Sequence, residues 1–140
     1  MRLAEDEARR RLAAARVARL ATVGGPGSPH LVPVTFAVAG DRIYTAVDAK
    51  PKTTRDLRRL RNIRADPRVA VLADYYDEDW SRLWWARADG RAAILDAAGE
   101  MAGPIALLAD RYPQYQRSPP AGPVICVLVD HWSGWAASGG

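Results

Sequence analysis

Between residues 17 and 47 the chain is cut into three short apolar runs by clusters of glycine and proline, and this punctuation constrains the fold more than anything else in the sequence. Residues 17–23, VARLATV, alternate between two faces as a strand does. Gly24-Gly25-Pro26-Gly27-Ser28-Pro29 is a turn by composition. Residues 30–39, HLVPVTFAVA, read as a second strand, in which Pro33 marks an edge, a bulge or a place where ladder pairing stops. Gly40-Asp41 turns the chain again, and residues 42–47, RIYTAV, form a third strand.

The remaining chain continues the pattern. Residues 5–16 read as a helix, with acids leading and arginines following in the sense the helix dipole favours. Residues 68–75 alternate poorly and predict a strand buried on both faces. Residues 76–81 are a loop, and residues 83–95 a long strand interrupted near Asp89-Gly90 by a bulge or a hairpin turn. Residues 100–112 predict a helix with Gly103-Pro104 in its first turn, and residues 118–123 a loop. Residues 124–129 and 132–137 are the last two strands. Six or seven short strands with two or three helices make an α+β chain, mainly β, with an antiparallel sheet. Closing that sheet into a barrel removes its edges.

At 140 residues the chain is expected to be a single domain with a real core, and 49% hydrophobic against 26% charged residues is ordinary for a globular protein. No run of eighteen apolar residues occurs, so no membrane span is expected. The start, MRLAEDEARRR, lacks an apolar signal core, which predicts a cytoplasmic protein. A lone cysteine excludes an internal disulfide, and Cys126, inside an apolar run, reads as packed core.

Charge is concentrated in one place. Residues 50–67, KPKTTRDLRRLRNIRADP, hold seven bases (Lys50, Lys52, Arg55, Arg58, Arg59, Arg61, Arg64) against Asp56 and Asp66, a net five (seven minus two) in a chain of formal charge +4. From Thr54 the segment reads as a helix, with Leu57, Leu60 and Ile63 or Arg64 on one face and Asp66-Pro67 as its stop. Thr53 or Thr54 would cap it, with Asp56 near the third position of a capping box. Lys50, Lys52 and Arg55 crowd the positive end of the dipole, an arrangement that repels itself until a phosphate or carboxylate sits there. A solvated basic helix is the plainer reading. The position of Lys-Pro-Lys-Thr-Thr ahead of the helix, not along its middle, favours the anion.

Other candidates are weaker. Trp84 and Trp85 are neighbours in a strand and face opposite sides, as do Trp132 and Trp135 if their strand is regular. Asp74, Asp77, Glu78 and Asp79 lack histidine partners and EF-hand spacing, and read as a solvated acidic loop. His30 and His131 belong to no catalytic or metal signature. No Gly-x-Gly-x-x-Gly or P-loop is present, which argues against classical nicotinamide binding and nucleotide hydrolysis.

The order of these features resembles a known family. Gly-rich turn, strand with Pro33-Val34, strand ending in Thr45-Ala46, basic Lys-Pro-Lys-Thr loop, helix, Asn62-Ile63 and Pro67 resemble the pyridoxamine-phosphate-oxidase-like, FMN-binding-type split β-barrels, over about residues 3–137. Residues 76–85, YDEDWSRLWW, are similar to the branch that uses the deazaflavin coenzyme F420. The resemblance implies a homodimer with cofactor sites at the interface. It implies that Pro33, Val34 and Thr35 line the ring, that Thr45, Ala46 and Val47 lie beside the ribityl chain, and that Trp80 reaches the ring from the partner chain. It gives Lys50, Lys52, Thr53 and Arg55 to the phosphate, the cluster that charge alone singles out. The extra basic stretch from Arg58 to Arg61 departs from the shortest members of that family, so the resemblance does not choose which arginine between Arg55 and Arg61 meets the phosphate.

The function so implied is an F420-dependent oxidoreductase passing hydride to a small unsaturated or conjugated carbonyl acceptor. No strong acid–base pair is visible, which suits chemistry owned by a cofactor. Solvent, Tyr44, Tyr75 or His131 could supply a proton. The alternatives are an FMN-dependent oxidase or reductase and a non-enzymatic flavin or haem carrier. A barrel binding single-stranded nucleic acid is disfavoured, because the aromatics cluster near residues 75–85 and 132–135 and do not interleave with the basic helix.

Overall fold

The computed structural model describes residues 1–47 and 57–138. Helix α1 (Glu5–Ala14) leads into strands β1 (Ala18–Val23), β2 (Pro29–Val34), β3 (Ala37–Ala39) and β4 (Arg42–Ala46). Helix α2 (Arg58–Ala65) precedes β5 (Arg68–Tyr75), a short 3-10 turn (Trp80–Arg82) and β6 (Trp84–Leu95). Helices α3 (Ala98–Arg111) and α4 (Pro113–Arg117) come before β7 (Val124–Ala136).

The seven strands form one antiparallel sheet in the order β2-β1-β5-β6-β7-β4-β3. Its two outer strands, β2 and β3, are joined by only Thr35 and Phe36. The three Cα–Cα steps from Val34 to Ala37 span at most about 10 Å, so the sheet must curl to bring its edges together. That is the split barrel expected from the sequence. Pro33 lies on β2, an edge strand, as its missing N–H requires. At the β3–β4 hairpin Gly40 takes φ +60°, which the first position of a type II′ turn needs.

The barrel interior is filled by Leu20, Val34, Phe36, Ile43, Val71, Ile125, Val127 and Trp132, and α1 contributes Ala8 and Leu12. Helix α2 plugs one end with Leu60 and Ile63, beside a buried hydrogen bond from Asn62 Nδ2 to Thr22 Oγ1 of 2.9 Å. A smaller cluster, Ala37, Leu108 and Tyr115, lies where α3 and α4 meet the sheet.

Several expectations change. The described residues hold four helices where two or three were expected, the additional one being the short α4. Leu57 is extended (φ −70°, ψ 148°) and stands at the N-cap of α2 with no side-chain bond, so the helix starts at Arg58; Thr53 and Thr54, the expected caps, lie outside the described residues. The physical reason is packing: Leu57 is drawn against the core as the chain arrives, and the helix begins only where Leu60 and Ile63 must share a face. Strand β5 alternates after all, with Val69, Val71 and Ala73 buried and Ala70 and Leu72 half-buried. The interruption near Asp89-Gly90 is a bulge, and the two last strands are one, bent at Asp130. Helix α3 starts two residues earlier than expected and runs through Pro104.

Candidate functional site

Two regions bear on function. The first is the start of α2. Arg58 and Arg59 open this helix, and its first turn holds no acid. Among the described residues neither arginine pairs with a carboxylate. His30, on β2 and paired with Thr22, lies near both. Burial pushes its pKa below the ordinary imidazole value, and the charges of Arg58 and Arg59 push it the same way. Its Nδ1 is buried without a hydrogen-bond partner among the described residues. Burial also lowers the pKa of Arg59. A partly buried arginine at the N-terminal end of a helix is a favourable setting for an anion. Lys50, Lys52, Thr53 and Arg55, assigned to the phosphate from sequence, lie outside the described residues.

The second region is the β2–β3 link, where the sheet edges meet and ladder pairing lapses. Side chains from α3 and α4 replace the missing backbone partners. The Tyr112 hydroxyl accepts from Phe36 N at 3.1 Å and lies 3.0 Å from the carbonyl oxygens of both Phe36 and Arg16. Arg111 donates from Nη1 to Phe36 O at 3.0 Å and from Nη2 to Ala15 O, and its guanidinium stacks over Phe36 at 4.9 Å. Arg16 closes the loop by donating to Arg111 O at 2.8 Å. Tyr115, only 8% exposed, places its hydroxyl 2.8 Å from Thr35 Oγ1.

The ring-lining candidates sort by depth. Val34, Thr45 and Val47 are buried with side chains facing inward, so a ligand could meet them only through the backbone. Pro33 is exposed and Thr35 half-buried. Thr35 and Ala46 are brought together around the Ala37–Leu108–Tyr115 cluster, against which Ala46 packs. Trp80 is 70% exposed on the 3-10 turn, edge-on to Tyr76 with ring centroids 6.3 Å apart. The acids beside it are occupied locally: Asp77 accepts from the Tyr75 hydroxyl at 2.7 Å and from Asp79 N, and Asp79 accepts from Ser81. The bond to Asp77 raises the Tyr75 pKa. His131 lies 3.3 Å from Glu5 on the surface. Cys126 is buried, which raises its pKa.

The sequence reading missed Arg16, Phe36, Arg111, Tyr112 and Tyr115. The available signal was Arg111-Tyr112-Pro113-Gln114-Tyr115, a polar-aromatic helix end that follows an apolar stretch.

The curled antiparallel sheet, α2 at one end and the clamped link between the edge strands define the split-barrel class. The family profile described as pyridoxamine 5'-phosphate oxidase matches residues 4–136, and the chain belongs to that family. Solved structures with this fold include a FAD-binding protein from Mesorhizobium loti, 24% identical, with 96% of this chain and 95% of that one covered and a TM-score of 0.72. A conserved hypothetical protein from Mycobacterium tuberculosis is 22% identical, with 96% and 86% covered and a TM-score of 0.77. In Streptomyces rimosus subsp. rimosus, a 5a,11a-dehydrotetracycline/5a,11a-dehydrooxytetracycline reductase is 41% identical over 59 residues, 40% of this chain. The match spans 38% of that reductase's length.

Proposed function

We propose that this protein is an oxidoreductase that binds the deazaflavin coenzyme F420 and reduces a small unsaturated or carbonyl-conjugated acceptor. In this reading the chain is a cytoplasmic homodimer with the cofactor at the interface. The observation that carries it is the acid-free, arginine-led start of α2 in a chain of this family. Such a donor set suits a cofactor with an anionic tail. The partial likeness to a tetracycline reductase supports reduction of a conjugated acceptor.

When bound, a reduced deazaflavin supplies the hydride. This chain's residues bind, orient and exclude water. Lys50, Lys52, Thr53 and Arg55, with Arg58 and Arg59 following, would hold the phosphate. Pro33, Val34 and Thr35 would line the ring, with Thr45, Ala46 and Val47 beside the ribityl chain and Trp80 of the second copy over the ring. FMN is the second reading. Its phosphate would use the same cations, and the Mesorhizobium loti protein's description as FAD-binding favours a flavin.

Titrating the purified protein with F420, FMN and haem, followed by visible absorption and equilibrium dialysis, separates these readings. F420 is expected to bind most tightly. The double substitution Lys52→Ala, Arg55→Ala is expected to weaken binding at least tenfold, because charge-assisted contacts contribute roughly 1.5–3 kcal/mol each. Unchanged affinity in that variant would remove the phosphate site.

A further inference from the structure

We propose that Tyr115 is a positioning residue that fixes the hydroxyl of Thr35 toward the bound ring. This rests on the cofactor reading above but adds to it a residue and a role. Thr35 sits in the two-residue gap between β2 and β3, where no ladder holds it. Its hydroxyl lies 2.8 Å from that of Tyr115, 80 residues away in the chain. Tyr115 cannot swing away readily. It is buried against Ala37 and Leu108, and its ring meets Tyr112 edge-on, 5.7 Å between centroids. Tyr112 is in turn bonded to the backbone of Phe36 and Arg16.

Either hydroxyl can donate at this distance; in the proposed arrangement the more acidic phenol of Tyr115 donates and Thr35 accepts. The hydroxyl hydrogen of Thr35 is then not used in that bond and is left to donate to a ligand. Thr35 thereby offers a ring carbonyl or ring nitrogen a donor of fixed polarity, and no rotamer search is needed on binding. Without Tyr115 the Thr35 hydroxyl would turn inward or spin, and the ring would meet a disordered dipole.

The test uses Tyr115→Phe, which keeps the ring and deletes one oxygen, and Thr35→Val, which keeps the shape and deletes the other hydroxyl. F420 and FMN are titrated into each protein. Dissociation constants and the absorption maximum of the bound ring are read together. Each substitution is expected to weaken binding of the preferred ring about fivefold and to move its absorption maximum back toward that of the free cofactor. The double variant is expected to lose no more than either single one, and Thr35→Ser is expected to restore wild-type behaviour. Additive losses, or a Tyr115→Phe protein with unaltered affinity and spectrum, would overturn the positioning role while leaving the cofactor reading intact. If Tyr115→Phe does not fold, Thr35→Val decides alone: an unchanged spectrum there rejects the proposal. A wild-type protein that takes up neither ring rejects both readings.

Discussion

Single residues in this chain act mostly through local charge. Asp66, which ends α2, accepts from the backbone N–H of Arg68 at 3.1 Å and from its guanidinium at 3.0 and 2.6 Å. These bonds, the guanidinium first, lower its pKa from 3.8 to about 2. Because the folded-state value is depressed, the pair's contribution is complete above the ordinary carboxylate pKa and is lost as pH falls through about 2. Carbon-detected NMR of the Asp66 carboxyl is expected to show a midpoint close to that value, and Arg68→Ala is expected to return it toward 3.8. A midpoint near 3.8 in the unaltered protein would mean that the pair does not form in solution. The Lys52 and Arg55 substitutions belong to the same scale, since each removes one cation from a cluster that charge counting alone exposed.

At the scale of elements, the bulge in the β6–β7 pair has the largest consequence. Asp89 pairs with His131 and Gly90 with Val129, so Asp130 is the extra residue, and it bonds Arg91 across the pair. One extra residue reverses the face of everything beyond it. Ile125, Val127 and Val129 face the core before it, and Trp132, Gly134 and Ala136 after it. That reversal explains why the sequence suggested two strands where there is one: the alternation changes phase. Residues 124–127 are all buried, because α3 covers the second face of that stretch, and their pattern carries no phase at all. The bulge also requires Gly90, where any β-carbon would collide with the Leu128 carbonyl. Gly90→Ala is expected to cost about 1–3 kcal/mol, read as a lower midpoint in urea with an unchanged slope. A neutral result would show that the strands slide past each other freely. Most other elements were legible because short β-branched runs between Gly-Pro clusters have few alternatives. The start of α2 was not, because its limit is set by where Leu57 meets the core, a tertiary fact.

For the molecule as a whole, the barrel was legible in the sequence, but the clamp formed by Arg111, Tyr112 and Tyr115 was not. Its partners are Ala15, Arg16, Thr35 and Phe36, between 75 and 96 residues away, and no local pattern reports contacts of that span. The proposed dimer poses the remaining question at this scale. On the face of the sheet turned from the core, Trp85 and Trp135 stand opposite each other across β6 and β7, and Trp135 is 39% exposed. Leu31, on edge strand β2, is 66% exposed. These exposed apolar side chains, set among polar groups that include the Arg87–Asp89 ion pair, are poor neighbours for water, and a second copy would cover them. If that face is the seam, the chain should sediment at twice its 15.3 kDa at micromolar concentration, and Trp135→Glu should return it to 15.3 kDa. Ring binding should fall in the same variant, because Trp80 of the partner would no longer reach the site. A wild-type protein that sediments as a single chain yet binds the ring at full strength would show that each barrel builds its site alone.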